Sequence, residues 1–242
     1  MHDEFLFFRS SFAKLDRAFK HLGELRMLHE DSCNKKLLGL TIPAGVTGAF
    51  SDISFSDKNS LSDYPSYQIS TIIGDILFNL KSALDHFIYE LAQRDSGEYQ
   101  KMTEFKFFDT KKEYDVAGVN RFLKGISVSH VNQLEEYQPF NSCIWTGQLR
   151  DLCNADKHRH HLPSTLVRSV TISRNARTED FFHPLPLGLN KSSLIVFGFD
   201  KALVLADKDL IELLLFLCKS VEMLLIKWRK QLIDEKLVID SM

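Results

Sequence analysis

No two cysteines lie close enough in this sequence to form a CxxC pair. The 4 that occur, Cys33, Cys143, Cys153 and Cys218, are scattered, which argues against a zinc ribbon, a dithiol redox motif and a secreted disulfide framework. A reducing, cytoplasmic setting is the expectation. Neither sign of charge dominates: 30 basic against 32 acidic residues leave a net charge of -2. No global field therefore draws the chain to nucleic acid or to an anionic membrane, and any such binding must use a local patch. The sequence also lacks the ~20 uninterrupted apolar residues of a membrane span. Its most apolar stretch, LIELLLFLCKSVEMLLIKW, is broken by Glu212, Lys219 and Glu222 and reads as a buried helix. The opening MHDEFLFFRSSF has no basic region followed by an apolar run, so it does not read as a secretion signal. What the chain has in quantity is apolar surface: 44% hydrophobic content over 242 residues supports one sizeable core, and residues 1–242 read as a single domain.

Hydrophobic spacing predicts helices at both ends. Phe5, Phe8, Phe12, Leu15, Phe19 and Leu22 recur at steps of three and four, a narrow seam on a helix over residues 3–30. Such a seam needs a partner, either the central helix or a second copy in a homodimer. Residues 39–67, rich in Gly, Ser, Asp and Pro, read as a long connection. A central helix over 66–94 carries Ile69, Ile72, Ile73, Ile76, Leu80, Ala83, Leu84, Phe87 and Leu91 on one broad face. Then EFKFF reads as a short extended piece, TKKEYDVAGVNRFLKG as a helix ended by Gly125, and SVSHVNQLEEYQ as a helix stopped by Pro139. The segment NSCIWTGQLRDLCNADKHRHHL follows with helical spacing. Beyond Pro163 the period changes, and LVRSVTIS and SLIVFGF read as strands before a last helix over 207–237. The expected fold class is α+β: a helical bundle from residues 1–160 and 205–240, with a small antiparallel β-sheet at 164–200 inserted before the C-terminal helix.

Two polar constellations carry the chemistry. In GDILFNLKSALDH the residues Asp75, Asn79, Ser82 and His86 fall within roughly 60° of one another, opposite the apolar face, at about 100° per residue. The plain reading is a solvated face or a satisfied helix contact. The sharper reading is a site, because the line holds short directional groups and no long solvating one. The second constellation, NADKHRHH, packs Asn154, Asp156, Lys157, His158, Arg159, His160 and His161 together near a helix C-terminus, where the helix dipole favours cations. Imidazoles add a capacity for proton transfer or metal ligation. His158, His160 or His161 with a carboxylate would be the ligands of a metal, but the spacing matches no specific zinc pattern, and no cofactor is expected.

The pairing of these motifs resembles a widespread family of uncharacterised bacterial proteins carrying G-D-x-L-H-N-L-R-S-A-L-D-H and N-x-D-K-H-R. Here Phe78 stands where relatives often have His, and Lys81 where they have Arg. A more remote similarity is to HEPN-type helical domains, many of them metal-independent ribonucleases of toxin and antiphage systems with a basic residue and a His spaced as Lys81 and His86 are in KSALDH. That resemblance implies a composite site between two helices. His86 and His158 would act as acid and base on RNA, Lys157 and Arg159 would stabilise phosphate charge, and Asp75 and Asp156 would orient an imidazole, while Asn79, Ser82, Lys81 and Asn154 would hold the substrate. The competing expectations are a module that binds a nucleotide or anion without reaction, and a structural or interaction protein in which the same groups form a buried hydrogen-bond network.

Overall fold

The computed structural model describes residues 7–37, 66–158, 164–171, 190–197 and 210–240, with side chains for 7–31, 68–156 and 210–237. Three long helices dominate: α1 (Arg9–Leu37), α2 (Ser66–Ser96) and α6 (Leu210–Asp240). Between α2 and α6 lie one turn of helix, α3 (Lys111–Glu113), a π-helical stretch at Tyr114–Phe122, α4 (Val128–Glu135) and α5 (Ile144–His158). Among the described residues no helix is long and apolar enough to cross a membrane.

The apolar face read for α2 is the centre of the core: Ile69, Ile73, Ile76, Leu80, Ala83, Leu84, Phe87 and Leu91 are all fully buried. α1 packs along α2, burying Leu15, Ala18, Leu22 and Leu25, and α6 packs against both helices, burying Leu214, Leu217, Val221, Leu225 and Trp228. Edge-on rings tie the three together, with Phe8 on Phe87 at 5.0 Å and Phe87 on Trp228 at 5.4 Å between centroids. The predicted seam of α1 thus meets the central helix, although Phe12 and Phe19 are only half-buried and Phe5 lies outside the described residues. A carboxylate from α2 holds the start of α1: Glu90 accepts the backbone N–H of Phe8 at 2.7 Å and the hydroxyl of Ser10. Negative charge at a helix N-terminus is favourable, and here it also fixes Phe8 in the left-handed region at φ 62°.

The α+β expectation is corrected to a helical class. Helix makes up 82% of the residues whose side chains are described. Among the described residues strands form one backbone ribbon, in which Ser164–Thr171 runs antiparallel to Asn190–Phe197. A ribbon of two strands has no face wide enough to act as a layer on which helices pack. The β-branched runs that suggested a sheet reported only local extended preference. Residues 172–189, which join the two strands, lie outside the described residues.

The piece EFKFF is an irregular segment held by side chains from elsewhere. Asp85 accepts the N–H of Phe105 at 2.9 Å, and Gln138 Oε1 accepts that of Phe108 at 3.1 Å. The helix expected over TKKEYDVAGVNRFLKG widens after one turn into the π-helical stretch, where Gly118 lies under the Phe108 ring; a Cβ there would come within 3.1 Å of it. Gly125 ends the segment at φ 86°, as its position in the sequence predicted.

Candidate functional site

α5 is amphipathic, burying Leu149, Leu152, Cys153 and Ala155, and it crosses α2 at the first residues of the GDILFNLKSALDH motif. The closest approach is at Gly74. A Cβ there would lie 3.0 Å from Asp156 Oδ1 and 3.3 Å from Oδ2, so the motif glycine is what lets α5 come in close. One turn further on, the Cys153 thiol lies 3.9 Å from the Leu77 carbonyl oxygen. As α5 advances from Cys153 to Asp156, its contacts on α2 retreat from Leu77 to Gly74, so the two helices run antiparallel at the crossing.

That direction decides which of the expected residues meet. Asp75 and Asp156 share the level of the crossing, and Lys157 and His158 follow at the end of α5. His158 therefore ends near the level of Ile72, about 20 Å along the helix axis from His86 at a rise of 1.5 Å per residue. The backbone of His158 is therefore not at the level of His86. Side chains of Lys157 and His158 are not among those described, and Arg159, His160 and His161 lie outside the described residues.

The polar stripe of α2 does not turn toward α5 either. On the helix surface it lies between Phe78 and Glu90, and both of these reach α1: the ammonium of Lys14 sits 5.7 Å from the Phe78 ring centroid, and Glu90 caps the start of α1. Asp75 is exposed, while Ser82 and His86 are half-buried. Asn79 is buried and donates to the Asp75 backbone oxygen at 2.7 Å, one turn back in the same helix. Among the described residues the His86 imidazole has no hydrogen-bonding partner. Asn154 is exposed on the outer side of α5.

Lys81 is committed elsewhere. Its ammonium donates to both oxygens of Asp85, at 2.6 and 2.8 Å, and to Glu104 at 3.0 Å. With two carboxylates around it, Lys81 has no charge left over for a phosphate, and it projects well away from the His86 side of the helix. Burial raises the Asp85 carboxyl above its usual range, outweighing the pull of Lys81. The group of Lys81, Asp85, Glu104 and the Phe105 N–H fastens the 104–108 segment onto α2. Asp85→Ala would orphan both the Phe105 N–H and half of the lysine's partners. The expected cost is about 1–3 kcal/mol, read as a shift in the urea unfolding midpoint. An unchanged midpoint would show that this segment is not fastened there.

One ionisable cluster was not anticipated from the sequence. His130, at the start of α4, is buried between two carboxylates: Nδ1 lies 2.6 Å from Asp95 Oδ2 at the end of α2, and Nε2 lies 3.1 Å from Glu235 Oε1 on α6. Arg94 reaches Glu235 at 3.0 Å, Gln231 donates to it at 2.9 Å, and the Ser127 N–H donates to Asp95 at 2.9 Å. The Trp228 ring stands edge-on to the imidazole at 5.2 Å. The bond to Asp95 raises the His130 pKa against the opposing effect of burial. Burial alone would push the two carboxyls up, but Asp95 is lowered by its bonds to His130 and Ser127, and Glu235 by those to Gln231, His130 and Arg94. A signal for the cluster existed in the helical periods. Asp95 continues the buried line of Phe87, Ile88 and Leu91, and Glu235 follows Trp228 two turns on.

The thiols offer little chemistry in comparison. Cys153 and Cys218 are buried, and burial pushes the Cys218 thiol up to about 12. No protein-family model matches the chain, and neither a curated protein nor a solved structure shows significant similarity to it.

Proposed function

We propose that the chain is a cytoplasmic helical interaction protein in which GDILFNLKSALDH and NADKH form a structural junction, and that they do not assemble a two-histidine catalytic centre. The observation that carries this reading is the antiparallel crossing of α2 and α5 at Gly74 and Asp156, which separates His86 from His158 along the axis. General acid–base cleavage of RNA needs both imidazoles within hydrogen-bonding reach of one phosphodiester, and an offset of about 20 Å along the axis between their backbone positions weighs against that. Within the junction each motif residue has a mechanical task. Gly74 admits Asp156, Asn79 bonds within its own helix, and Lys81 and Asp85 hold the 104–108 segment.

A second reading keeps the metal-independent endoribonuclease of toxin or antiphage type that the HEPN resemblance implies. It is favoured by the exposed Asp75 at the level where Asp156, Lys157 and His158 end α5. In that form His158 works with Lys157 and Arg159, without His86.

One experiment separates the two. Purified full-length protein is incubated with structured and single-stranded RNA in EDTA, and the products are examined for 2′,3′-cyclic phosphate ends. The junction reading expects intact RNA. Cleavage that disappears in His158→Ala while the melting curve is unchanged would establish the ribonuclease and overturn the junction reading. Cleavage that needs an added divalent ion would point instead to a metal held by His158, His160 and Asp156.

A further inference from the structure

α6 is apolar on two opposite sides. Its buried stripe, from Leu214 through Leu217, Val221, Leu225, Trp228 and Leu232, faces the core. On the far side Phe216, Met223, Ile226 and Leu237 are exposed, and Ile233 is half-buried. These outward residues recur at alternating steps of three and four, the a and d positions of a heptad repeat, with Lys219 and Lys230 filling the two remaining places. A helix that only closed a monomeric bundle would carry polar residues along this line.

The flanking charges indicate what covers it. With Phe216, Met223 and Lys230 at a, the g positions hold Glu222 and Arg229, and the following e positions hold Lys227 and Asp234. When two such helices run parallel, each g residue faces the next heptad's e residue of its neighbour. That sets Glu222 against Lys227 and Arg229 against Asp234, opposite charges at both places. The pattern is complementary to itself. Present partners of these groups are on the surface: Lys219 pairs with Glu222 at 2.7 Å and lies 5.1 Å from the Phe19 ring centroid, and Lys227 reaches Glu136 at 3.6 Å and lies 5.4 Å from the Tyr137 ring centroid, both lysine side chains being more than half exposed. Such exposed pairs contribute little. Arg229 lies over the Phe12 ring at 4.7 Å, which places its guanidinium at the α1 edge of the seam.

We infer that the outward seam of α6 is the contact face for a second copy of this chain, joined as a parallel pair. Lys219 and Lys230 each come next to their own counterparts across the seam, which weakens the association and makes it concentration-dependent. Lysine within an a/d seam costs stability while fixing register. The inference is independent of the reading of the α2–α5 junction.

Sedimentation velocity on the full chain from low to high micromolar concentration tests it. The expected result is a monomer–dimer equilibrium. Met223→Glu with Ile226→Glu should give a monomer whose circular dichroism and melting are unchanged, because both positions are exposed. Glu222→Lys alone should weaken association by about tenfold through new like-charge pairs, and adding Lys227→Glu should restore it. A wild-type monomer at every concentration, as expected if the chain covers its own seam, would overturn the inference. So would a dimer indifferent to the apolar substitutions, or a charge exchange that fails to restore pairing.

Discussion

Ile76→Asp should abolish the cooperative thermal transition of this protein. Ile76 is fully buried on α2, within the apolar face that α1 and α6 close over. A carboxylate placed there has neither water nor a cation, and a buried unpaired charge costs several kcal/mol even after relaxation or protonation. A domain's whole stability is only about 5–15 kcal/mol, so the substitution removes most or all of it. Phe12→Asp makes the comparison informative. Phe12 belongs to the same predicted seam on α1 but is half-buried, and the Arg229 guanidinium already lies 4.7 Å from its ring centroid. A carboxylate at that place meets a cation and water, so the variant should still melt cooperatively at a lower temperature. Circular dichroism melting of both variants checks the pair. If Ile76→Asp melts as the wild type does, α2 is not the centre of the core.

Those two positions also show how much of the fold could be read from the sequence. The period of three and four located α2 almost to its ends, because a long helix buried along one face leaves a strong apolar repeat. The same period identified the seam of α1 but could not say that Phe12 and Phe19 lie at its edge, since exposure depends on where the neighbouring helix runs. The β-branched runs near 166 and 194 carried a preference for extended backbone and said nothing about a third element to build a layer, so the inferred class was too rich in sheet. At the motifs, spacing placed Asp75, Asn79, Ser82 and His86 on one line correctly. It could not reveal that Gly74, rather than that line, is where α5 crosses, nor that the crossing is antiparallel. The resemblance puts Lys81 among the substrate-holding residues, whereas its carboxylate neighbours, Asp85 within the motif and Glu104 well beyond it, come together around it only once the 104–108 segment folds back onto α2. The cluster around His130 joins three helices distant in sequence: the helical periods put Asp95 and Glu235 on buried lines, but no local pattern shows that they meet His130.

That cluster sets the remaining large effect. His130→Ala should cost about 3–5 kcal/mol, because it leaves Asp95 buried without its principal cation, and breaking a buried pair from one side costs more than the pair contributes when intact. The geometry supports this size: the His130 and Asp95 side chains are 7% and 5% exposed. Removing the orphaned charge as well, in His130→Ala with Asp95→Asn, should recover part of the loss, as coupled neighbours do in a double-mutant cycle. The pH dependence follows from the direction of each shift. His130 has a raised folded-state pKa, so its contribution is complete below the ordinary imidazole value, about 6.5, and is lost as the pH rises through the folded value. Asp95 and Glu235 have lowered values, so theirs is present above the ordinary carboxylate range, about 4, and is lost as the pH falls through the depressed values. The clasp is strongest between these limits. There the imidazolium donates to both carboxylates, Arg94 supplies the second positive charge from α2, and Ser127, Trp228 and Gln231 enclose the group from α4 and α6. Above that window a neutral imidazole can donate to only one carboxylate and turns a lone pair toward the other. Wild-type melting temperature should therefore decline from pH 6.5 toward pH 9, a decline absent from His130→Ala. Parallel profiles for the two proteins would mean that His130 is not protonated between its carboxylates.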